Sequence, residues 1–481
     1  MNDLSLMGLE IAVVAVGLAI LLLDLWVPNL PKRALGYAVA SGLAVILVSS
    51  FFLETDKTSF AFGYTYVQDG FALYSKRFFL VAAILVLVLS AEFADRFETS
   101  VSEYYSLLLV ALSGMMLAAS ANDFVVMFVA LELITITFYI LTSFQRRKIA
   151  SLEAGLKYLI MGALSSAFLI YGIALVFGAA NTTNFGNLAI SAKSLTTQPM
   201  FALGMLMLLI GLGFKIAAFP LQIWAPDVYQ GAPTPTTAFL AVGSKAAGFV
   251  LLVRILSRAL PDGGASMTNV LITISGLTIL YGNLCAIPQR NLKRLLGYSS
   301  IAHAGYMLLG VAAMSASGSA AVLYYLTGYL FTVLAAFCVI CVVMTGIEGE
   351  DISALAGLHQ RSPLLAAAIS LSMISLAGIP PLAGFFGKFL LLKAAAEQGA
   401  QHPGFYCLIG TAIFGVLVSL YYYLSVVRTV YWSEPNENTS PLQVSSPMRF
   451  ALYACIAGML YLGLYPSTVL NLTTQAVAEM K

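Results

Sequence analysis

Four ionisable side chains stand inside apolar stretches of this chain: Glu132 in DFVVMFVALELITITFYILTSF, Lys215 in MLLIGLGFKIAAFP, Lys245 in FLAVGSKAAGFVLL and Lys388 in GFFGKFLLL. A charged side chain at the centre of a bilayer costs roughly 2.5 to 3.5 kcal/mol even on lenient insertion scales, so each needs a reason to be there. A structural ion pair, or a lysine reaching to the interface, would explain one of them. Three lysines against one glutamate cannot all be neutralised by pairing. The chemistry they suit is proton transfer. A medium of low dielectric disfavours the ammonium form of any lysine, whereas a carboxylate brought close favours it. A Glu132 that moves toward and away from Lys215 would make that lysine hold and then release a proton. Thr135 and Tyr139, three and seven residues after Glu132, extend one polar stripe along its helix.

Other residues have two readings. Lys157 follows Glu153 by four and suits either an i,i+4 pair or a proton relay. His303, in RLLGYSSIAHAGYMLLG, suits a relay between lysines or a hydrogen-bonded structural role. Lys76 and Arg77 begin an apolar stretch and are expected at the interface. Asp227 is expected in a loop or helix cap, and Tyr421, Tyr422 and Tyr423 are expected to be packing or interface residues. The five cysteines lie in apolar stretches, and the CVIC run at 338–341 has no second pair or histidine beside it. His303, His359 and His402 are the only histidines and lack ligand spacing, so no metal or redox centre is expected in this chain.

These residues must be positioned by helices. The chain is 60% hydrophobic and 10% charged, with a mean hydropathy of +0.91, which no ordinary soluble domain approaches. It reads as an all-α polytopic membrane protein. The apolar stretches predict about fourteen spans, near 7–26, 34–53, 70–90, 104–121, 123–142, 153–178, 200–218, 234–256, 267–287, 295–314, 319–345, 363–395, 404–431 and 447–466. The first is expected to be retained, because it has no cleavage signature. A net charge of +2 gives no general pull toward nucleic acid. With the N-terminus outside, Lys32, Arg33, Arg146, Arg147, Lys148, Arg290, Lys293, Arg294, Arg361, Arg428 and Arg449 fall on the inner side, and both termini lie outside. Arg254 and Arg258 are exceptions. No linker or soluble domain is expected, because the longest polar connections, near 179–199 and 432–446, are short.

The helical pattern breaks twice, after Lys215 at AAFP and ahead of Lys388 at GIPP. Interrupted helices at corresponding places in two halves point to an ion site in an inverted-repeat transporter. Broken backbone at that depth is tolerable where protein covers it or it lines a wet cavity.

The stretches KYLIMGALSSAFLIYGIAL, FPLQIWAPDVYQGAPTPTTAFLAVGSKAAGF, NLKRLLGYSSIAHAGYMLLG and GIPPLAGFFGKF resemble the antiporter-like, Mrp-type membrane subunits of respiratory complex I, over nearly the whole chain. The resemblance implies fourteen helices with two inverted five-helix repeats and discontinuous helices 7 and 12. It divides the chain into 1–103, 104–256 (helices 4–8), 257–431 (helices 9–13) and 432–481. It implies that Glu132, Lys215, Lys245 and Lys388 carry the proton, with His303 and Lys157 as possible relays. NADH, FMN, iron-sulfur clusters and quinone would be bound by other chains of the complex. Sibling subunits M and K are the implied neighbours, in a bacterial inner membrane. Gln222 stands where siblings M and L have histidine, and Lys388 stands where M has glutamate. A chain ending at Lys481 leaves no room for the long lateral helix of L. A stand-alone cation/proton antiporter component is the alternative.

Overall fold

The computed structural model describes residues 3–27, 31–53, 58–97, 101–260, 264–344, 350–434 and 440–480. The chain opens with α1 (Asp3–Leu6), α2 (Gly8–Trp26) and α3 (Lys32–Ser50). An antiparallel hairpin of β1 (Ser59–Ala61) and β2 (Tyr66–Gln68) leads to α4 (Gly70–Phe93). Then follow α5 (Val101–Ala119), α6 (Phe124–Thr142), α7 (Ile149–Ala180), α8 (Phe185–Leu195) and α9 (Pro199–Ile216). The first break holds the short α10 (Trp224–Gly231). After it, α11 (Thr234–Phe239), a π-helical turn over Leu240–Ser244 and α12 (Lys245–Arg258) run on as one 25-residue rod. The remainder comprises α13 (Gly264–Ala286), α14 (Leu292–Ala312), α15 (Ala316–Val343), the single-turn α16 (Leu358–Arg361), α17 (Pro363–Ala377), α18 (Ala383–Gln398), α19 (Gly404–Trp432), α20 (Ser446–Leu464) and α21 (Pro466–Ala478).

Thirteen of these helical stretches are long and apolar enough to cross a membrane, and α17 with α18 supplies the interrupted fourteenth. Polar residues set the starts: Asp69, Asp123, Asn291, Ser315 and Ser445 each accept a backbone N–H from the first turn they precede. The apolar pattern located each span within a few residues. It did not reveal α21, a further helix after the last span, or α8, which fills most of the connection expected near 179–199.

Burial divides the helices into two sets. The rod Thr234–Arg258 is 100% buried over its most apolar window and α14 is 94% buried, against 28% for α2 and for α7. The rod and α14 therefore form a protein-enclosed axis, with α15 and α5 at 83% and 78% buried next to enclosed, while α2 and α7 present apolar flanks outward. Lys245 and His303 lie on that enclosed axis. Charge also distinguishes the two ends of the bundle, with Arg33, Arg146, Arg147, Lys148, Lys293 and Arg294 clustered at one, called here the basic end.

Candidate functional site: a buried line of lysines

The two breaks are built alike. Ala217 (φ 58°) and Gly378 (φ 87°) adopt the left-handed conformation that ends a helix, and in each case the residue three positions on is a cis proline, Pro220 and Pro381. Backbone N–H groups at both turns bond back to carbonyls of the preceding helix, Ala218 to Gly213 and Gly378 to Ile374. Lys215 sits in the last turn of α9, immediately before the first break. Lys388 sits in α18, after the second, and its ammonium reaches back across the break to Leu376 O at 2.8 Å and Ala377 O at 3.1 Å. These carbonyls are left free where α17 stops, at the end of a helix whose dipole favours a cation. The Lys388 ammonium also lies 4.9 Å from the Tyr306 ring centroid.

Around the first break, Lys215 is 4% exposed and donates to Thr135 Oγ1 at 2.6 Å. The polar stripe expected on α6 is thus what meets it. Glu132, partly exposed, accepts instead a short hydrogen bond from Ser166 of α7. Both Glu132 and Lys215 line one cavity of about 10 Å³, with Thr135, Ser165 and Ser166. That is about the space for one water molecule. Among the described residues no ion pair within 4.0 Å joins Glu132 and Lys215. The structure therefore holds the pair in its separated arrangement.

Small residues allow the next step. A Cβ on Gly248 would lie 2.7 Å from Ile216 and 3.4 Å from the Lys215 side chain, so α12 lies directly against the end of α9. Lys245 begins α12 just after the π-helical turn, a feature frequent at functional sites. Its ammonium donates to Ser300 O at 2.7 Å and, more closely, to Ser300 Oγ. Ser299, beside it on α14, is closely bonded to Tyr423 of α19. Tyr423 lies 3.0 Å from His303 Nε2, and His303 Nδ1 is closely bonded to Tyr325 of α15. His303 and Tyr325 line a second cavity of about 10 Å³ with Thr332, Ser375 and Leu376, whose carbonyl holds Lys388. Gly384 and Gly387 permit this closeness, since a Cβ on either would collide with Ser375 O or the Tyr325 ring.

Glu132 and Lys215 therefore share one polar site and Lys245, His303 and Lys388 lie along a second, the two meeting where α12 packs on the end of α9. Lys157 is in neither. It lies toward the basic end, 2.7 Å from Glu153 and 2.7 Å from Asp227. Asp227 caps no helix. It sits in the first turn of α10 and also receives Arg294 of α14 at 2.5 Å. Burial opposes its charged form, but hydrogen bonds from Lys157 and Arg294 outweigh burial and hold the carboxyl below the ordinary range.

Two further expectations need correction. Lys76 is not interfacial: it is fully buried, bound to Glu10 at 2.7 Å, Tyr66 Oη at 2.7 Å and Gln68 Oε1 at 2.6 Å. Of the three tyrosines, Tyr421 is exposed and Tyr422 packs inward, donating to Asn283 Oδ1 at 3.0 Å, in keeping with packing or an interface, whereas Tyr423 departs from that reading by lying 3.0 Å from His303 Nε2. Ser299, Ser300 and Tyr325 carry no mark in the sequence, because a hydroxyl in an apolar helix is ordinary. Among the described residues no group of three metal-ligating side chains forms.

Residues 121–415 match the family described as NADH:quinone oxidoreductase/Mrp antiporter, transmembrane region. The chain belongs to that family. Among its curated relatives is NADH-quinone oxidoreductase subunit N of Moorella thermoacetica, 42% identical, with 98% of each chain aligned. The protein of the same name from Heliobacterium modesticaldum is 39% identical over 99% of this chain and 100% of its own. In respiratory complex I from Thermus thermophilus, one chain is 36% identical with a TM-score of 0.81, covering 96% of this chain and 98% of that one. A chain of the Mrp complex from Dietzia shares the fold, with a TM-score of 0.85 at 22% identity.

Proposed function

We propose that this chain is a subunit N of NADH:quinone oxidoreductase, a proton-translocating membrane subunit driven by electron transfer in other chains of the complex. The observation that carries the reading is a trio of enclosed lysines, each held by hydroxyl or carbonyl oxygens, with one glutamate sharing the site of the first.

In this reading, Glu132 swinging from Ser166 onto Lys215 favours the ammonium form and loads a proton there. Its return to Ser166 removes that support, and the proton passes to Lys245 across the contact of α9 with α12. Ser300, Ser299, Tyr423, His303 and Tyr325 then relay between Lys245 and Lys388, each hydroxyl or imidazole giving one proton as it takes another. The segments 104–256 and 257–431 are the two inverted repeats, an assignment supported by the shared left-handed turn that ends a helix beside a buried lysine at each break. The basic end faces the cytoplasm and both termini face the periplasm, as the distribution of lysine and arginine favours. FMN, iron-sulfur clusters and quinone belong to other chains of the complex. Partly exposed Glu132 on an otherwise apolar flank suits coverage by a sibling subunit, M or K, more than by lipid.

A stand-alone antiporter component is the weaker reading, because identity to the complex I chain is 36% and to the Mrp chain 22%. Purification of the native assembly separates them. Flavin and iron-sulfur absorbance travelling with this chain supports the first; an assembly without them supports the second. Within complex I, Lys215→Ala that leaves proton translocation intact in a normally assembled complex would overturn the site.

A further inference from the structure

Between the two lysines Lys215 and Lys245 lies α10, and it touches the surroundings of both. Its Trp224 Nε1 donates to Phe214 O at 3.0 Å, the carbonyl next to Lys215. Its Tyr229 hydroxyl lies 2.9 Å from Ser300 Oγ, the atom that receives Lys245. The helix is wedged between α7 and α14 with little slack. A Cβ on Gly297 of α14 would meet Pro226 Cα at 3.0 Å, and one at Gly231 would strike Ala150 O of α7 at 2.3 Å. Asp227 faces both neighbours and ties them, at 2.7 Å to Lys157 of α7 and 2.5 Å to Arg294 of α14.

We infer that α10 is a connector in which Asp227, by bridging Lys157 and Arg294, holds the Tyr229 hydroxyl on Ser300 and so positions Ser300 for proton exchange with Lys245. This rests on the proton-translocating reading above. Hydroxyl valence explains why Tyr229 matters. A serine hydroxyl has one hydrogen and two acceptor sites, and an amine that has given up its proton presents a lone pair. When Lys245 is an ammonium, it donates to Ser300 Oγ. Once Lys245 is neutral, its lone pair can take the Ser300 hydrogen while one N–H stays on Ser300 O, and in that arrangement the Ser300 oxygen is left to accept from Tyr229. Tyr229 thus supports the deprotonated half of the cycle, and Asp227 acts through it as a positioning residue.

The test is a double-mutant cycle in the whole complex reconstituted into vesicles, reading protons moved per NADH oxidised and the coupled rate. Asp227→Asn and Tyr229→Phe are each expected to lower coupled translocation by about fivefold, a typical coupling between linked sites. The double variant should lose no more than the worse single, and Asp227→Glu should recover most of the loss. Losses that multiply to about twenty-fivefold would mean independent action and overturn the link. So would wild-type translocation in Tyr229→Phe, or Asp227→Glu as impaired as Asp227→Asn. If Asp227→Asn does not assemble, Arg294→Gln takes its place in the cycle with the same two outcomes. Lys215→Ala in parallel keeps the levels apart: intact pumping there rejects the function itself, whereas its loss alongside multiplicative singles rejects the connector alone.

Discussion

Lys76 and Lys215 are both buried amines in apolar helices, but their surroundings differ in the number and kind of acceptors. Lys76 has three partners, Glu10, Tyr66 and Gln68, which together use all three hydrogens of an ammonium. Beside it, Arg254 is fully buried and grips both oxygens of Asp69 at 2.8 Å. Two carboxylates and two cations thus close on one another and tie α2, α4 and α12 together at the end opposite the basic loops. Lys215 has a single hydroxyl; Lys245 and Lys388 each have two oxygens, none of them a carboxylate. A neutral amine, with two hydrogens, fits the second kind of site and not the first. What separates a fastening lysine from a proton-carrying one is therefore acceptor count and charge. Burial alone does not distinguish them, since both are almost wholly enclosed.

The comparison breaks most visibly in the lysine line. Lys215→Ala and Lys245→Ala are each expected to cut coupled proton translocation by about a hundredfold or more, the range for losing a proton-transfer group, while the complex still assembles. Proton uptake by reconstituted vesicles measures it. Lys76→Met should do the reverse. Removing one partner strands the buried Glu10 charge and costs about 3 to 5 kcal/mol, seen as a lower melting temperature or poor assembly, with normal translocation per complex that does form. Because the loss comes from the stranded charge, Lys76→Met combined with Glu10→Leu should recover most of the stability. A pumping defect in the stable double variant would place Lys76 among the carriers.

Thr135→Glu sharpens the same contrast by giving Lys215 a fixed carboxylate, turning it into a fastening lysine. Translocation should fall roughly tenfold or more, since a fixed opposite charge holds the amine in its ammonium form. Unchanged turnover would mean that acceptor charge is not what distinguishes the two sets. Lys157→Ala should be milder, about two- to threefold, because this partly exposed lysine shares Asp227 with Arg294 and exposed pairs contribute up to about 1 kcal/mol.

The lysine line was legible in the sequence because a charge in an apolar stretch stands out against its neighbours, and the breaks were legible because proline cannot continue a helix. Thirteen crossings followed from the length of the apolar stretches, and the interrupted fourteenth from its proline break between two shorter helices. Partnership was not legible. Asp69 and Arg254 are 185 residues apart, so a buried arginine read as an exception to the charge rule. Lys76 lies within two turns of the start of α4, which suggested an interface; β2 and α2 cover that end and enclose it. The π-helical turn before Lys245 has no sequence mark beyond small residues, and Tyr423 is one of three consecutive tyrosines until the fold aims it at His303.

The smallest expected effect concerns pH. The Asp227 carboxyl, outside the spanning segments, is held below its ordinary value by Lys157 and Arg294. A carboxyl lowered on folding contributes stability that is complete above its unfolded value, about 3.9, and is lost only as pH falls through the still lower folded one. Across the working range of a respiratory enzyme, Asp227 therefore keeps its charge, and the tie between α7 and α14 stays closed. The ratio of wild-type to Asp227→Asn translocation rates should accordingly stay flat from about pH 5 upward. A ratio that changes between pH 6 and about 8 would mean that Asp227 itself exchanges protons during turnover, moving it out of the fastening set and into the line it now supports.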